Sequence, residues 1–251
     1  MGTLKEIVDH YDSVSLQEMD TVRLMNRIDT KFVFNSVKLP QFLEELMPYY
    51  KVLEVCATRM NRYETLYFDT PDLKLYTLHH NGKLNRYKVR TRKYVDSDTG
   101  FFEIKFKNNR GRTIKSRIKH EEISGTLSGK SLKLIRKEFP LLAEKLQPTL
   151  RIFFTRLTFV NNNMTERVTL DVGLRFSNAN SEHAFQNIAI AEVKQDRCGK
   201  SGFTDLMRKN HIETSPMSKY CLAVCSLDFK VKKNNFKQKL LHLNKINHEI
   251  S

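Results

Sequence analysis

The chain has 251 residues, and its 43 Lys and Arg against 28 Asp and Glu give a formal net charge of +15. Hydrophobic residues make up 40% of it, an ordinary globular proportion that excludes a collagen, a coiled coil and a wholly disordered chain. No run of roughly 18 apolar residues is present, and the start lacks the apolar segment of a signal peptide, so a cytoplasmic location is expected. The large positive charge predicts a polyanionic partner: nucleic acid, anionic lipid or a phosphate chain.

Hydrophobic periodicity predicts an α+β chain dominated by antiparallel strands. In chain order the predicted elements are a helix over 4–11, a capping box at Ser15–Glu18, a strand over 27–34, a helix over 38–48, strands over 51–57, 61–69, 84–95, 101–107 and 112–119, a helix over 130–146 that is broken or bent near Pro140, strands over 149–160, 166–176 and 187–195, and helices over 201–211 and 216–227. This pattern predicts one domain over residues 1–228, followed by a basic tail over residues 229–251 that we expect to be solvated or disordered.

Several of these strands place positive charge on one face, because side chains alternate across a strand. The charged residues that share this period are Arg86, Lys88, Arg90 and Arg92 on one strand, Glu103, Lys105 and Lys107 on the next, and Lys115, Arg117 and Lys119 on the third. Further cases are Lys31, Arg156, and Lys194 beside Glu192. For one strand alone, an ordinary wet sheet face explains such alternation.

The sign of the charge is harder to explain by solvent exposure, since like charges on neighbouring strands repel and ordinary surfaces mix both signs. A bound polyanion would supply the missing countercharge. About eight strands closing into a barrel would enclose a wet, basic tunnel, wide enough for one slender ligand. A triphosphate or a linear phosphate chain would fit, whereas duplex nucleic acid is too wide. The absence of Trp and of an RNP-like aromatic motif also disfavours nucleic acid.

An ordered set of short motifs resembles the catalytic domain of the vacuolar transporter chaperone (VTC) complex, within the triphosphate tunnel metalloenzymes. The motifs are RIDTKFVF at 27–34, TLYFDT at 65–70, VRTR at 89–92, FEIK at 102–105, FFTR at 153–156, LD at 170–171, AEVK at 191–194 and SKY at 218–220. They extend over about residues 15–227, nearly the whole chain. The resemblance implies a closed antiparallel barrel that makes inorganic polyphosphate from the γ-phosphate of ATP, with Mn or Mg.

The resemblance also implies roles for individual residues. Catalytic phosphate binding is implied for Lys31, Arg90, Arg92, Lys105, Lys115 and Arg156. Substrate binding is expected for Lys88, Lys194, Ser218 and Lys219, the last two near the start of a late helix that would cap one tunnel end. A metal-ligand role is implied for Glu192. For Asp171, a metal ligand and a salt bridge to a tunnel arginine both remain open.

One departure from the wider superfamily concerns the first strand. Hydrolytic tunnel enzymes open with Glu-x-Glu-x-Lys, whereas this chain has Arg27-x-Asp29-x-Lys31, which favours the polymerase branch. The chain resembles a stand-alone bacterial version, without a regulatory domain or membrane spans. A separate membrane protein could hold it at the inner face of the membrane. Two alternatives stay open: a tunnel hydrolase of triphosphate or short polyphosphate, and a phosphate-chain or RNA-binding module without turnover. The sequence does not predict the oligomeric state.

Three other patterns are interpreted as structural. The segment Gly125–Ser131 resembles a P-loop but is one residue short, so a loop that caps the following helix is predicted. His79–His80 is interpreted as a surface or loop pair. Cys221 and Cys225 fit one face of a helix better than a disulfide.

Overall fold

The protein is described by a computed structural model that covers residues 3–20, 27–120, 123–196 and 201–249. Within these ranges the strands are β1 (Ser13–Val14), β2 (Arg27–Asn35), β3 (Tyr50–Leu53), β4 (Asn61–Asp69), β5 (Arg86–Tyr94), β6 (Thr99–Lys107), β7 (Thr113–Lys119), β8 (Gln147–Asn161), β9 (Glu166–Ser177), β10 (Glu182–Phe185) and β11 (Ile188–Asp196). The α-helices are α1 (Leu4–Asp9), α2 (Leu16–Asp20), α3 (Leu39–Leu46), α4 (Lys74–His80), α5 (Gly129–Glu138), α6 (Gly202–Lys209), α7 (Lys219–Ser226) and α8 (Lys237–His248).

All of these strands join one sheet, whose main path runs β2-β11-β9-β8-β4-β5-β6-β7. Neighbours along this path are antiparallel, which confirms the predicted sheet type. In addition β10 pairs with β9, β3 pairs with the end of β8, and β1 runs parallel to β3. The end strands β2 and β7 do not pair with each other over their described residues. Hydrogen bonds therefore do not close the sheet into the barrel that the sequence predicted.

Helices cover one face of the sheet with apolar contacts. Near β2 and β9, Phe32 and Leu170 are at most 2% exposed and pack in a cluster with α1, α3 and α6. Near β5 and β6, Val89 and Phe102 of the same face are fully buried, in a cluster that includes Ile135 of α5. Because side chains alternate along a strand, the neighbours of these residues point to the opposite face, which we call the site face.

The site face is apolar at one end. There α7 packs in a cluster with Leu150, Ile152 and Ile190, which are at most 4% exposed. Helix α8 adds Leu243 and Ile246 to the same cluster. The apolar end and α7 cover part of the site face, and the charged side chains lie on the rest of it.

Several short elements test the sequence predictions. The predicted break near Pro140 is confirmed, since α5 ends at Glu138 and a 3₁₀ segment follows from Pro140 to Lys145. The predicted loop ends at Ser128, which is the N-cap residue of α5. Helix α4 was not predicted: the buried Asp69 carboxylate accepts backbone hydrogen bonds from Leu75 and Tyr76, at 2.8 and 2.9 Å, and so holds its first turn. The surface interpretation of His79–His80 is wrong, because His80 in α4 is only 5% exposed.

The C-terminal segment also differs from its prediction. We expected a solvated or disordered tail, which is wrong for α8, since Leu243 is fully buried and Ile246 is 6% exposed. The Asn35 amide of β2 donates hydrogen bonds to the Ile246 and Glu249 carbonyl oxygens, at 2.9 and 3.0 Å. No helix within the described ranges is long and apolar enough to cross a membrane.

Candidate active site

The charged residues of the site face meet through the register of the sheet. Lys31 of β2 lies directly opposite Glu192 of β11, and Arg156 of β8 lies opposite Asp171 of β9. Arg90 of β5 lies opposite Glu103 of β6. Three carboxylates therefore lie on a face for which the sequence pattern predicted mainly positive charge.

The Glu103 carboxylate is fully buried between two cations. Arg90 donates to it from Nε at 2.8 Å and from Nη2 at 2.6 Å, and Lys115 of β7 forms an ion pair with its other oxygen. Burial alone would raise the pKa of Glu103, but Arg90, Arg92 and Lys115 outweigh burial and lower it to about 2. Arg90 also donates from Nη1 to the Tyr67 hydroxyl, at 3.1 Å. Most of the Arg90 guanidinium is therefore engaged inside the protein.

Asp171 forms the second of these groups. Arg156 binds it in a bidentate manner, with Nε–Oδ1 at 2.5 Å and Nη2–Oδ2 at 2.7 Å, and Lys219 at the start of α7 also donates to Oδ2. Burial acts to raise the pKa of Asp171, but Arg156 and Lys219 hold it well below its ordinary range. Of the two roles left open for Asp171, the salt bridge is the one observed.

Glu192 forms the third group. Lys31 Nζ lies 2.9 Å and Lys194 Nζ 3.4 Å from its carboxylate oxygens. Although burial acts to raise the pKa of Glu192, Lys194 and Lys31 lower it below its ordinary range. Each of the three carboxylates thus lies between two cations, as buried or half-buried charge requires.

Aromatic rings also lie on the site face, and the sequence reasoning missed them. Tyr63 and Phe154 stack with ring centroids 5.0 Å apart. The guanidinium carbons of Arg92 and Arg156 lie 5.4 and 5.1 Å from the Tyr63 centroid, within the range of a cation–π contact. The available signal was the period of β4, in which Tyr63, Thr65 and Tyr67 share one face, opposite the core residues Leu66 and Phe68.

Two lysines on this face have no carboxylate partner among the described residues. Lys88 Nζ donates to the Ser218 hydroxyl at 2.8 Å, and Ser218 in turn caps α7 by accepting from the Cys221 backbone nitrogen at 3.3 Å. Lys105 lies opposite both Lys88 and Lys115. The charge of Arg90, followed by burial, lowers the pKa of Lys105 to about 6. Its neighbours therefore make protonation of Lys105 unfavourable.

Arg92 is the third cation of this kind. It is 9% exposed and donates from Nε to the Thr65 hydroxyl at 3.2 Å. Burial and the nearby Arg90 and Arg156 lower the pKa of Arg92. No ion pair to Arg92 occurs in the part of the chain that is described.

All of the candidate site residues predicted from the sequence lie on the site face or at the start of α7. Together with the carboxylates that they hold and with Tyr63 and Phe154, we call them the catalytic wall. The structure divides the cations among them into two sets. The cations that hold carboxylates are Lys31, Arg90, Lys115, Arg156, Lys194 and Lys219. The cations without such a partner in the described ranges are Lys88, Arg92 and Lys105.

A divalent metal such as Mg²⁺ needs several oxygen ligands. The described residues contain no group of three or more His, Cys, Asp or Glu side chains that could hold a metal ion. However, Glu192 and Asp171 are diagonal neighbours on the adjacent strands β11 and β9. Mg²⁺ is commonly held by one or two carboxylates together with substrate phosphates. Glu192, whose side chain is 23% exposed against 3% for Asp171, is the carboxylate that fits a site of that kind.

The fold agrees with that of solved structures. The chain is similar to a candidate adenylate cyclase from Bacillus halodurans, with a TM-score of 0.50, 14% sequence identity, and coverage of 77% of this chain and 94% of that one. It is also similar to a candidate adenylyl cyclase from Hippeastrum described as having a dominant triphosphatase activity, with a TM-score of 0.47, 12% identity, and coverage of 81% and 98%. The similarity to the Bacillus halodurans protein supports the fold of this chain.

The sequence itself defines the family of this chain. The family model of the VTC domain matches residues 26–228, and the chain belongs to this family. No curated protein matches it. The resemblance that the short motifs indicated is therefore confirmed at the level of the family.

Proposed function

We propose that this protein is a polyphosphate polymerase that transfers the γ-phosphate of ATP to the end of an inorganic polyphosphate chain. The observation that carries the proposal is the positive charge left on the site face after its carboxylates are paired. Lys88, Arg92 and Lys105 have no carboxylate partner in the described ranges, and a chain of phosphates would supply the countercharge. Arginine and lysine are suited to this role, since they bind phosphate oxygens as a flat fork and as a point charge.

The structure supports a division of labour among the expected phosphate ligands. Arg92 and Lys105 are proposed to contact phosphate directly. No carboxylate in the described ranges uses the charge of Arg92, and a bound phosphate would favour the charged form of Lys105. Arg90 is proposed to act mainly by holding Glu103, since three of its donors are already engaged within the protein. Lys219 and Ser218 would place the start of α7 against the bound phosphates.

Transfer of the phosphoryl group requires mainly positioning and charge stabilisation. A terminal phosphate oxygen of the acceptor chain would attack the γ-phosphorus, the bond from that phosphorus to the bridging oxygen would break, and ADP would leave with the bond's electrons. The attacking oxygen is already anionic, so no side chain has to remove a proton. Glu192, with Asp171 beside it, would hold Mn or Mg, which neutralises charge on the phosphate oxygens when bound.

The runner-up is hydrolysis of triphosphate or short polyphosphate on the same wall. The observation that keeps it open is the pair Glu192 and Asp171, which provides the donor type that a metal-dependent hydrolase uses. Against it, each of the wall carboxylates is already held between two cations, so none is placed as a free base for water. Water and phosphate as acceptors give different products from the same ATP.

The product of purified protein incubated with ATP and Mn tests the proposal. A ladder of polyphosphate on a stained polyacrylamide gel, equimolar with ADP formation, is the expected result. Free phosphate without polymer would establish the hydrolase instead. Tight binding of polyphosphate with no ADP formed would establish a binding module. Arg92→Ala should suppress the polymer, whereas Lys133→Ala on the exposed side of α5 serves as a control that removes the same charge elsewhere.

A further inference from the structure

The site face continues beyond Lys88 and Lys105 to a group of cations to which no function has been assigned. At the start of β5 and the end of β6, Arg86 lies directly opposite Lys107, one period beyond the pair Lys88 and Lys105. In the described ranges neither Arg86 nor Lys107 forms an ion pair, and Arg86 donates only to the Lys83 carbonyl oxygen, at 2.8 Å. Like charges placed opposite each other on a sheet destabilise it unless an anion lies between them.

Helix α8 brings a third cation to the same place. Lys239 Nζ donates to the Pro216 carbonyl oxygen at 2.8 Å. Pro216 lies two residues before Ser218, whose hydroxyl accepts a hydrogen bond from Lys88. Lys239 lies outside the residues that match the VTC domain, which end at 228. We call Arg86, Lys107 and Lys239 the cationic edge.

His79 on α4 shows that these charges converge. Its ring is half-buried, and burial, followed by the charges of Lys88, Arg86, Lys107 and Lys239, lowers the pKa of His79 to about 3. A neutral imidazole adds no positive charge to the cationic edge. Among the described residues, no carboxylate forms an ion pair with Arg86, Lys107 or Lys239. The field there is consequently positive, and it continues that of Lys88 and Lys105.

We propose that the cationic edge binds the polyphosphate chain where it leaves the catalytic wall, so that long chains are held at more points than a triphosphate. This inference rests on the proposed function, because it extends the same row of phosphate contacts. Arg86 and Lys107 lie two residues beyond the pair Lys88 and Lys105, about 7 Å along an extended strand. A triphosphate that spans Arg92 to Lys105 ends before the cationic edge, whereas a long chain that passes Lys88 and Ser218 continues to it.

The test compares the affinity of the full chain for tripolyphosphate and for long-chain polyphosphate over a range of salt concentrations. The variant is Arg86→Ala/Lys107→Ala, and the control is Lys133→Ala/Lys137→Ala, which removes two exposed positive charges from the outer helix α5. The edge variant should bind long chains on the order of tenfold more weakly at low salt, and the slope of log affinity against log salt should fall by about 2. Its affinity for tripolyphosphate should match that of the wild type.

The outcomes separate this inference from the proposed function. Equal loss for both ligands, or equal loss in the α5 control, would overturn the cationic edge and leave the catalytic wall intact. Wild-type protein that binds neither ligand would overturn both. Lys239→Met gives a second measurement: a smaller loss restricted to long chains supports the role of α8, and an unchanged affinity removes Lys239 from the edge. Thermal unfolding of each variant checks that the fold is retained.

Discussion

The catalytic wall and the cationic edge hold positive charge on the same sheet face in different ways. On the wall, Glu103, Asp171 and Glu192 each lie between two cations, and the pKa of each carboxyl is lowered. At the edge, Arg86 faces Lys107 with no carboxylate between them in the described residues. The paired cations order the wall before a ligand arrives, whereas the unpaired cations leave their charge available to a polyanion.

This difference means that replacing two cations of the same face should have opposite effects on stability. A buried ion pair that loses one partner leaves an uncompensated charge and is strongly destabilised. Replacing a cation that lies among other cations removes an unfavourable interaction from the folded state.

The largest effect is expected from Arg90→Ala. The fully buried Glu103 would retain only Lys115 as an ion-pair partner, so the free energy of unfolding should fall by about 3 kcal/mol. Lys105→Met should instead keep or raise it, by on the order of 1 kcal/mol after solvent screening. Urea unfolding at pH 7 measures both. A similar destabilisation by the two variants would show that the wall does not distinguish paired from unpaired cations.

Glu192→Gln should separate phosphate binding from turnover. Lys31 and Lys194 would lose their shared countercharge, so the affinity for tripolyphosphate without metal should rise severalfold. Polymer formation with Mn should fall by more than about a hundredfold, because a metal ligand is lost. The control Glu182→Gln removes an exposed carboxylate of β10. Synthesis at the wild-type rate by Glu192→Gln would remove this residue from the metal site.

The pH dependence of tripolyphosphate binding should follow the protonation of Lys105. Its pKa in the folded protein is about 6, against an ordinary value of 10.5. Between these values the unfolded chain holds a proton that the folded chain lacks, so the contribution of Lys105 to stability rises with pH. A bound phosphate favours the charged form, and we expect about one proton to be taken up per tripolyphosphate at pH 8. Calorimetry in two buffers of different ionisation enthalpy measures this uptake.

Lys105→Arg provides the matched variant for this measurement. An arginine stays charged throughout this range, so the proton uptake should disappear while the positive charge remains. Uptake that persists in Lys105→Arg would assign the proton to another group.

The smallest effect is expected from Ser218→Ala. Its hydroxyl caps α7 and accepts from Lys88. Loss of a cap typically reduces the free energy of unfolding by about 1 kcal/mol. The affinity for tripolyphosphate should fall only a fewfold, since Lys88 itself remains. Ser218→Thr retains a hydroxyl and should behave as the wild type, and an equal loss in both variants would exclude the hydroxyl as the cause.

Much of the wall could be predicted from local patterns. Period two in β5 and β6 placed Arg90, Arg92 and Lys105 on one face, and the SKY motif placed Lys219 at the start of a helix. The pairing of charges could not be predicted in this way. Arg156 meets Asp171 across β8 and β9, and Lys219 reaches the same carboxylate from α7. Such contacts depend on strand register and helix placement, neither of which a single strand encodes.

Two features of the chain were not visible in its pattern for different reasons. Helix α4 is short, and its first turn is held by Asp69, a residue at the end of the preceding strand. The tail carries only a narrow apolar stripe, with Leu243 and Ile246 as its buried residues. A stripe of that size does not stabilise a helix on its own, and here it is stabilised by packing in the apolar cluster that also contains α7.

The sequence by itself determined the alternation of side chains along the strands, the excess of positive charge and the family. These depend only on which residues are present and in what order. Only the tertiary structure decided which cations are neutralised and which remain available, and that the sheet's end strands stay unpaired in the described residues. The physical reason is that an ion pair depends on a distance of a few ångströms between side chains far apart along the chain. Periodicity gives the direction of each side chain but not its partner.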